Sequence, residues 1–364
     1  RLMSLVYHRT LNVGRVVSPT LSLLVERKRE IEGFKPETFY TVAVNCGGVS
    51  IYSERISDKS EADALADICT GELHVAKVER REKRESPPAL YDLTTLQREA
   101  NRELGFTAQQ TLDYLQSLYE KCLVTYPRTD SRFLTDGMAA TVPGLVNVAA
   151  KLLDVEAPAS INAEHVCDSS KVTDHHAVVP TASAVSTNLS ALPEGEATVL
   201  RLVCRQLLCA VSEPFTYAET TVEAECAGHT FKTRGKTIID LGWRAYKGAH
   251  EWTPLPDFAE GASVAITSAT VKEGKTSPPA AYTEDTLLAA MERADAKDAP
   301  EDAERSGLGT PATCAATIEK LVNGGFAERV KGKLVPTDTG ASLVTVLPDA
   351  LRSPLLTAEW ESRL

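Results

Sequence analysis

Long apolar runs are missing from this chain. No stretch of about 18 uncharged hydrophobic residues occurs, which excludes a helix crossing a bilayer. No signal-peptide pattern is visible, although one lying ahead of Arg1 would not be seen. Paired cysteines are missing too: the eight, at 46, 69, 122, 167, 204, 209, 226 and 314, form no Cys-x-x-Cys pair, which argues against a zinc site. Their scatter predicts reduced, mostly buried thiols and a cytoplasmic protein without a membrane partner. A Gly-x-x-x-x-Gly-Lys-Ser/Thr loop is also absent, so no ATP-binding loop of that kind is expected. Basic charge is scarce. With 39 Lys and Arg against 50 Asp and Glu the formal charge is −11, so any nucleic-acid site has to be a local groove.

What remains is enough for several cores. A chain of 364 residues with 43% hydrophobic content predicts two or three domains. Residues 1 to 33 read as helical, with Leu21, Leu24 and Val25 on one face. Phe39 to Ile51 alternates like strands around a Gly47-Gly48 turn. Glu61 to Cys69 reads as a short helix after Ser60, its expected cap. The charge run from Lys77 to Glu85 reads as an exposed strand and linker, with a basic DNA contact as the other reading. From Asp92 the pattern turns helical for most of a hundred residues. Alternation returns over Phe215 to Ile239 and Ser263 to Lys272, and these strands are expected to share a sheet with the first set, the helical part inserted between them.

Beyond the proline-bounded segment at Pro278-Pro279, Glu284 to Met291 reads as helix, and residues 295 to 306 as an acidic, alanine-rich mobile stretch. Ala312 to Val322 then predicts a helix stopped at Asn323-Gly324-Gly325. A hairpin over Phe326 to Pro336, turning at Lys331-Gly332-Lys333, and another helix after Thr337 complete a winged-helix arrangement. Such a unit serves nucleic-acid binding or pure structure equally well.

The chemistry concentrates in Leu123-Val124-Thr125-Tyr126-Pro127-Arg128-Thr129-Asp130-Ser131. In an extended segment, side chains at i and i+2 point to one face, so the Tyr126 phenol and the Arg128 guanidinium converge on one anion. Pro127 stiffens the connection. A phenol ordinarily titrates near pH ~10, so a nucleophilic tyrosine near neutrality needs a fixed cation beside it, which also holds a developing phosphorane charge. An aromatic anchoring a loop beside a surface arginine is the alternative. His175 and His176 are adjacent, so on a regular element they point apart and do not ligate one metal together.

The nonapeptide resembles the type IA DNA topoisomerases, the topoisomerase III branch in particular, and it does not stand alone. Gly14-Arg15-Val16-Val17-Ser18-Pro19-Thr20-Leu21, the run from Ser86 to Ala100, Ala108 to Leu112, Gln116 to Glu120, Thr173-Asp174-His175-His176-Ala177-Val178-Val179-Pro180-Thr181 and Gly307 to Thr313 match further family blocks, in family order. The resemblance implies a multidomain α+β fold, the toroid of domains II, III and IV with winged-helix or CAP-like helical domains and a β-rich arch. It places the first part of domain IV at 1–35, of domain II at 36–86, domain III with the tyrosine at 87–212, and the returns of domains II and IV at 213–280 and 281–364.

It further implies cleavage of single-stranded DNA through a 5′-phosphotyrosine, strand passage and resealing without ATP, with Tyr126, Arg128 and His176 as the catalytic groups. His176 is preferred over His175 because the Ala-x-x-Pro-Thr portion follows it directly. DNA contacts are implied for Arg1, Arg9, Asn12, Val13, Gly14, Arg15, Val16, Val17, Ser18, Thr129, Asp130, Lys171, Asp174 and His175. Family members begin with a TOPRIM domain that binds Mg²⁺, and no Asp-x-Asp occurs here. The expectation is therefore a fragment without metal ligands of its own, inactive alone, whose partners are single-stranded DNA, the TOPRIM domain, and a helicase or single-strand-binding protein. A bacterial, nucleoid-associated setting goes with it. Two residues depart from the family pattern: Val17 stands where glutamine is usual and Cys314 where arginine is usual; both changes remove polar DNA-binding capacity, so affinity or sequence preference is expected to differ from that of typical members. A DNA-gripping scaffold without cleavage is the rival reading. A relaxase or recombinase is a poorer fit, because neither the metal-binding histidine cluster nor the additional arginines are evident.

Overall fold

The structure is a computed structural model that describes residues 13–248, 252, 254–294 and 308–353. The chain divides into two compact units, one drawing on residues 1–33, 88–211 and 279–364, the other on 34–87 and 212–278. The 295–306 segment, expected to be mobile, lies outside the described residues.

The second unit is a closed six-stranded antiparallel barrel. Its strands are β1 (Thr38–Cys46), β2 (Val49–Ser53), β3 (Glu72–Glu85), β4 (Phe215–Cys226), β5 (His229–Asp240) and β6 (Ser263–Lys275), in the spatial order β1-β2-β5-β4-β3-β6. The two strand regions, more than a hundred residues apart in sequence, thus complete one sheet, and closure leaves no edge to pair with another chain. Val42, Val44, Ile51, Leu73, Val75, Val222, Ala224 and Phe231 fill the interior together with Ala62 and Leu65 of the helix Lys59–Ile68. That helix is capped by Asp58, whose carboxylate accepts from Ser60 N and Glu61 N at 2.8 and 3.1 Å, and not by Ser60 as the spacing predicts. The charge run of β3 is an exposed strand whose charges meet partners: Lys83 pairs with Glu219 on β4 at 2.7 Å, and Arg80 pairs with Asp257.

The first unit is helical. Its elements are α1 (Val17–Gly33), α2 (Leu93–Leu104), α3 (Ala108–Glu120), α4 (Val142–Leu153), α5 (Glu194–Ala210), α6 (Glu284–Glu292), α7 (Pro311–Asn323) and α8 (Asp338–Val346), with a hairpin of β7 (Ala327–Val330) and β8 (Lys333–Pro336). Reciprocal bonds between Asp92 and Thr95, and between Thr107 and Gln110, start α2 and α3 by satisfying N–H groups that a first helical turn leaves open. Two long irregular stretches, 121–141 and 154–193, interrupt the helical run expected from Asp92 onward; they carry only short 3₁₀ turns. Side chains and single bridges replace the missing ladders there. Val178 N donates to Tyr91 O at 2.8 Å and Thr125 N to Val179 O at 3.0 Å, which satisfies backbone groups in the interior.

Around α7 the winged-helix arrangement is present, with the hairpin turning at Lys331-Gly332. Leu21, Leu24 and Val25 of α1 pack with Leu287, Met291, Ile318, Leu321, Phe326, Leu334 and Leu343. Phe326 O lies 2.1 Å from where a Cβ on Gly340 would sit, so only glycine lets α8 approach this closely. Polar bonds join this part to the 88–211 part: Asp285 takes Arg98 Nε at 2.9 Å, and the buried Glu284 accepts from Ala108 N at 2.6 Å while also taking Arg329 Nε of its own part at 2.8 Å.

Candidate active site

Helix α3 ends in a sharp reversal. Cys122 takes a left-handed conformation (φ 58°), and Leu123 N donates back to Leu118 O at 2.9 Å, the closure usual where a helix stops on a left-handed residue. The chain then runs past Val124 into Tyr126, which is half-buried. From Tyr126 to Arg128 the backbone bends and is not a regular strand, so the shared face expected from alternation is not what relates these two residues. A third residue links them. The His175 ring lies against the Tyr126 ring, centroids 4.1 Å apart and planes tilted by 39°, and His175 lines the same cleft as Arg128.

That cleft has a volume of about 250 Å³ and is formed by Arg128, Thr129, Asp130, Asp174, His175 and the first residues of α7, Thr310, Pro311 and Ala312. Thr310 is the N-cap of α7 and Pro311 opens its first turn, where a missing N–H costs nothing. A helix start carries partial positive charge and suits an anion. The cleft therefore offers a guanidinium, an imidazole and a helix N-terminus beside a phenol. Two carboxylates, Asp130 and Asp174, oppose them, so an anion bound here needs counter-charge beyond Arg128.

The loop bearing the histidines is braced from the tyrosine segment. Buried Thr129 donates to His175 O at 2.7 Å and its hydroxyl accepts from Ser131 N at 3.1 Å; Ser131 Oγ donates to Lys171 O at 2.8 Å, and Thr173 Oγ1 to Asp130 at 3.0 Å. Lys171, exposed, pairs with Asp168 at 2.9 Å and sits over the Phe133 ring at 4.5 Å. The two histidines take different places. His176 is half-buried with Nδ1 2.8 Å from Ala177 O, whereas His175 holds the position against the tyrosine.

The glycine-arginine-valine block is only partly on the surface. Val13 and Arg15 are exposed, while Val16 and Val17 pack on the α1 core. Ser18, expected to offer its hydroxyl to DNA, is buried, and that hydroxyl accepts from Gly14 N at 3.2 Å; it organises the start of α1 instead. Val16 meets Gly309, whose φ of +83° and 3.3 Å clearance to the valine suit glycine, so this block is packed against the loop that leads to Thr310. Arg1, Arg9 and Asn12 lie outside the described residues. Cys314 faces inward: its thiol donates to Leu308 O at 3.3 Å, and burial pushes its pKa up to about 12, so this position steadies the 308–309 loop and presents nothing to a ligand.

Thr310, Pro311 and Ala312 escaped the sequence reading as site residues. The signal was the Thr-Pro pair at a helix start within a family block. Tyr119 was missed likewise, although its ring packs against Tyr126 edge to face, 5.6 Å between centroids.

Three segments distant in sequence, 128–130, 174–175 and 310–312, thus meet at one cleft, and each belongs to a block that resembles the same family. The family model described as DNA topoisomerase matches residues 1–364. The chain belongs to the type IA DNA topoisomerases. DNA topoisomerase 3 of Bacillus licheniformis is 36% identical over 397 residues, covering all of this chain and 54% of that protein; DNA topoisomerase 3 of Bacillus subtilis is 34% identical over 395 residues with the same coverage. Among solved structures, full-length topoisomerase I from Thermotoga maritima superposes with a TM-score of 0.78 at 27% identity, over 97% of this chain and 59% of that one. The chain spans about half the length of these topoisomerase 3 relatives, and its fold is the multidomain α+β mixture of the family.

No group of three or more His, Cys, Asp or Glu side chains suited to a metal ion occurs among the described residues. Among the described residues no helix is long and apolar enough to cross a membrane.

Proposed function

We propose that this chain carries the DNA-cleaving tyrosine of a type IA topoisomerase. Tyr126 Oη attacks a phosphodiester of single-stranded DNA, the P–O3′ bond breaks, and a 5′-phosphotyrosyl bond and a 3′ hydroxyl result. Arg128 and the start of α7 stabilise the charge on the pentavalent phosphorus. His175, against the phenol and lining the cleft, holds or passes the proton that the leaving 3′ oxygen takes up, the role first assigned to His176. Attack of the 3′ hydroxyl on the phosphotyrosine reverses the step after another strand has passed. The bond energy stays in the covalent intermediate, which removes the need for ATP.

The observation that carries this reading is the convergence of Arg128, His175 and the α7 N-terminus on one cleft beside Tyr126. Mg²⁺ and the remaining acid-base groups are assigned to a TOPRIM domain, and a helicase or single-strand-binding protein to the surroundings of the whole enzyme in a bacterial cytoplasm. Domains III and IV of the family correspond to the helical unit and domain II to the barrel.

An end-labelled single-stranded oligonucleotide, incubated with the chain alone and with a separately supplied TOPRIM domain, tests the proposal. A covalent adduct that needs Tyr126, lost in Tyr126→Phe, supports it. DNA binding with no adduct in either arm would leave a scaffold and overturn it, as would an adduct that survives Tyr126→Phe.

A further inference from the structure

The Tyr126 ring is held on two sides. His175 lies against it at 4.1 Å with a 39° tilt, and Tyr119 meets it at 5.6 Å with the planes 85° apart, the edge-to-face geometry that aromatic rings favour. Tyr119 stands in the last turn of α3, and the chain from it to Tyr126 is tied down at several steps. Cys122 N donates to Tyr119 O at 2.8 Å, Leu123 N to Leu118 O at 2.9 Å, Thr181 N to Leu123 O at 3.0 Å, and Val179 N to Thr125 Oγ1 at 3.0 Å. A nucleophile on so short and fixed a connection can still swing about its own side-chain bonds. The Tyr119 ring restricts that swing.

We propose that Tyr119 is a positioning residue, the second jaw of an aromatic clamp that fixes the Tyr126 phenol for attack. The proposal rests on the cleavage reading above. Its chemistry is steric and quadrupolar: the ring matters and the Tyr119 hydroxyl does not. Orientation of a nucleophile within a narrow approach cone is a large part of what an active site supplies, and a small misplacement slows the step without changing what is bound.

Two measurements decide it. In this chain made with ring-labelled tyrosine, the Tyr126 resonances, assigned by their loss in Tyr126→Phe, are expected to shift and their ring flips to quicken in Tyr119→Leu, and to stay near the parent values in Tyr119→Phe. Unchanged Tyr126 resonances in Tyr119→Leu would overturn the clamp. With the TOPRIM domain supplied, Tyr119→Leu is expected to slow oligonucleotide cleavage about tenfold at saturation with Kd within about twofold, and Tyr119→Phe to rescue the rate. A loss carried by Kd instead would make Tyr119 a base-stacking platform, and an equal loss in Tyr119→Phe would assign the role to the hydroxyl; either overturns the proposal. Adduct surviving in Tyr126→Phe would sink the cleavage reading separately, leaving the clamp to be judged by the resonances.

Discussion

The Thr129 hydroxyl donates to the His175 carbonyl across 2.7 Å, joining the segment that bears the tyrosine to the loop that bears the histidine. Both residues line the cleft, Thr129 buried and His175 exposed, so one hydrogen bond sets the spacing of two walls. Thr129→Val keeps the shape and removes the bond, leaving His175 O and Ser131 N without this partner. A stability loss of about 1–2 kcal/mol is expected in denaturant unfolding. The His175–Tyr126 contact should loosen with it, seen as a lower cleavage rate in the TOPRIM-supplemented assay.

The two histidines should separate cleanly. His175→Ala is expected to lower the cleavage rate about 10²-fold, a common size for the loss of an acid-base group. His176→Ala should cost stability more than rate, because its ring nitrogen serves Ala177 O. Rates at saturating oligonucleotide, with Tm recorded alongside, check the pair; the reverse ranking would return the role to His176.

Cys122 is the one non-glycine residue in left-handed conformation between Tyr119 and Tyr126. Cys122→Gly relieves the clash of its Cβ but adds freedom to the unfolded chain, for a net gain of about 0.5–1 kcal/mol. Exposure predicts a further behaviour. Cys122 should be the first thiol alkylated in the native protein, while Cys204 and Cys314, both buried and pushed up to about 12, stay unmodified, as mass mapping of iodoacetamide adducts would read.

Asp92 caps α2 while nearly buried, and burial raises its carboxyl pKa despite the Thr95 hydrogen bonds and the nearby Arg132. A raised folded value means the folded chain binds the proton more tightly than the unfolded one. Its contribution is therefore favourable at low pH and is lost as pH climbs from the ordinary aspartate value near ~3.9 through the higher folded one. Asp92→Asn keeps an oxygen acceptor for Thr95 N and removes the titration. Its Tm should fall less than the parent's as pH is raised from about 4 to 7; parallel curves would refute the assignment.

Local pattern made much of this molecule legible. The strand alternation around Gly47-Gly48, the helix over Glu284–Met291 and the hairpin at Lys331-Gly332 are all decided by periodicity and turn residues, which act over a few neighbours. The stretches 121–141 and 154–193 were not legible as non-helical, because what stabilises them is side-chain bonding to backbone far along the chain, such as Thr129 to His175. Helix starts were misplaced for a related reason. Asp58 and Ser60 are both good caps, and only the backbone conformation decides which side chain reaches the open N–H groups.

The site divides along the same line. Sequence by itself determined the reactive types: a phenol, a guanidinium and a pair of imidazoles in motifs that resemble one family. Tertiary structure alone decided which imidazole faces the phenol, that Ser18 and Cys314 point into the core, and that the start of α7 joins the cleft. Those outcomes depend on packing between segments far apart in sequence, where Val16 meets Gly309 and Arg98 meets Asp285, and no local pattern encodes such distances.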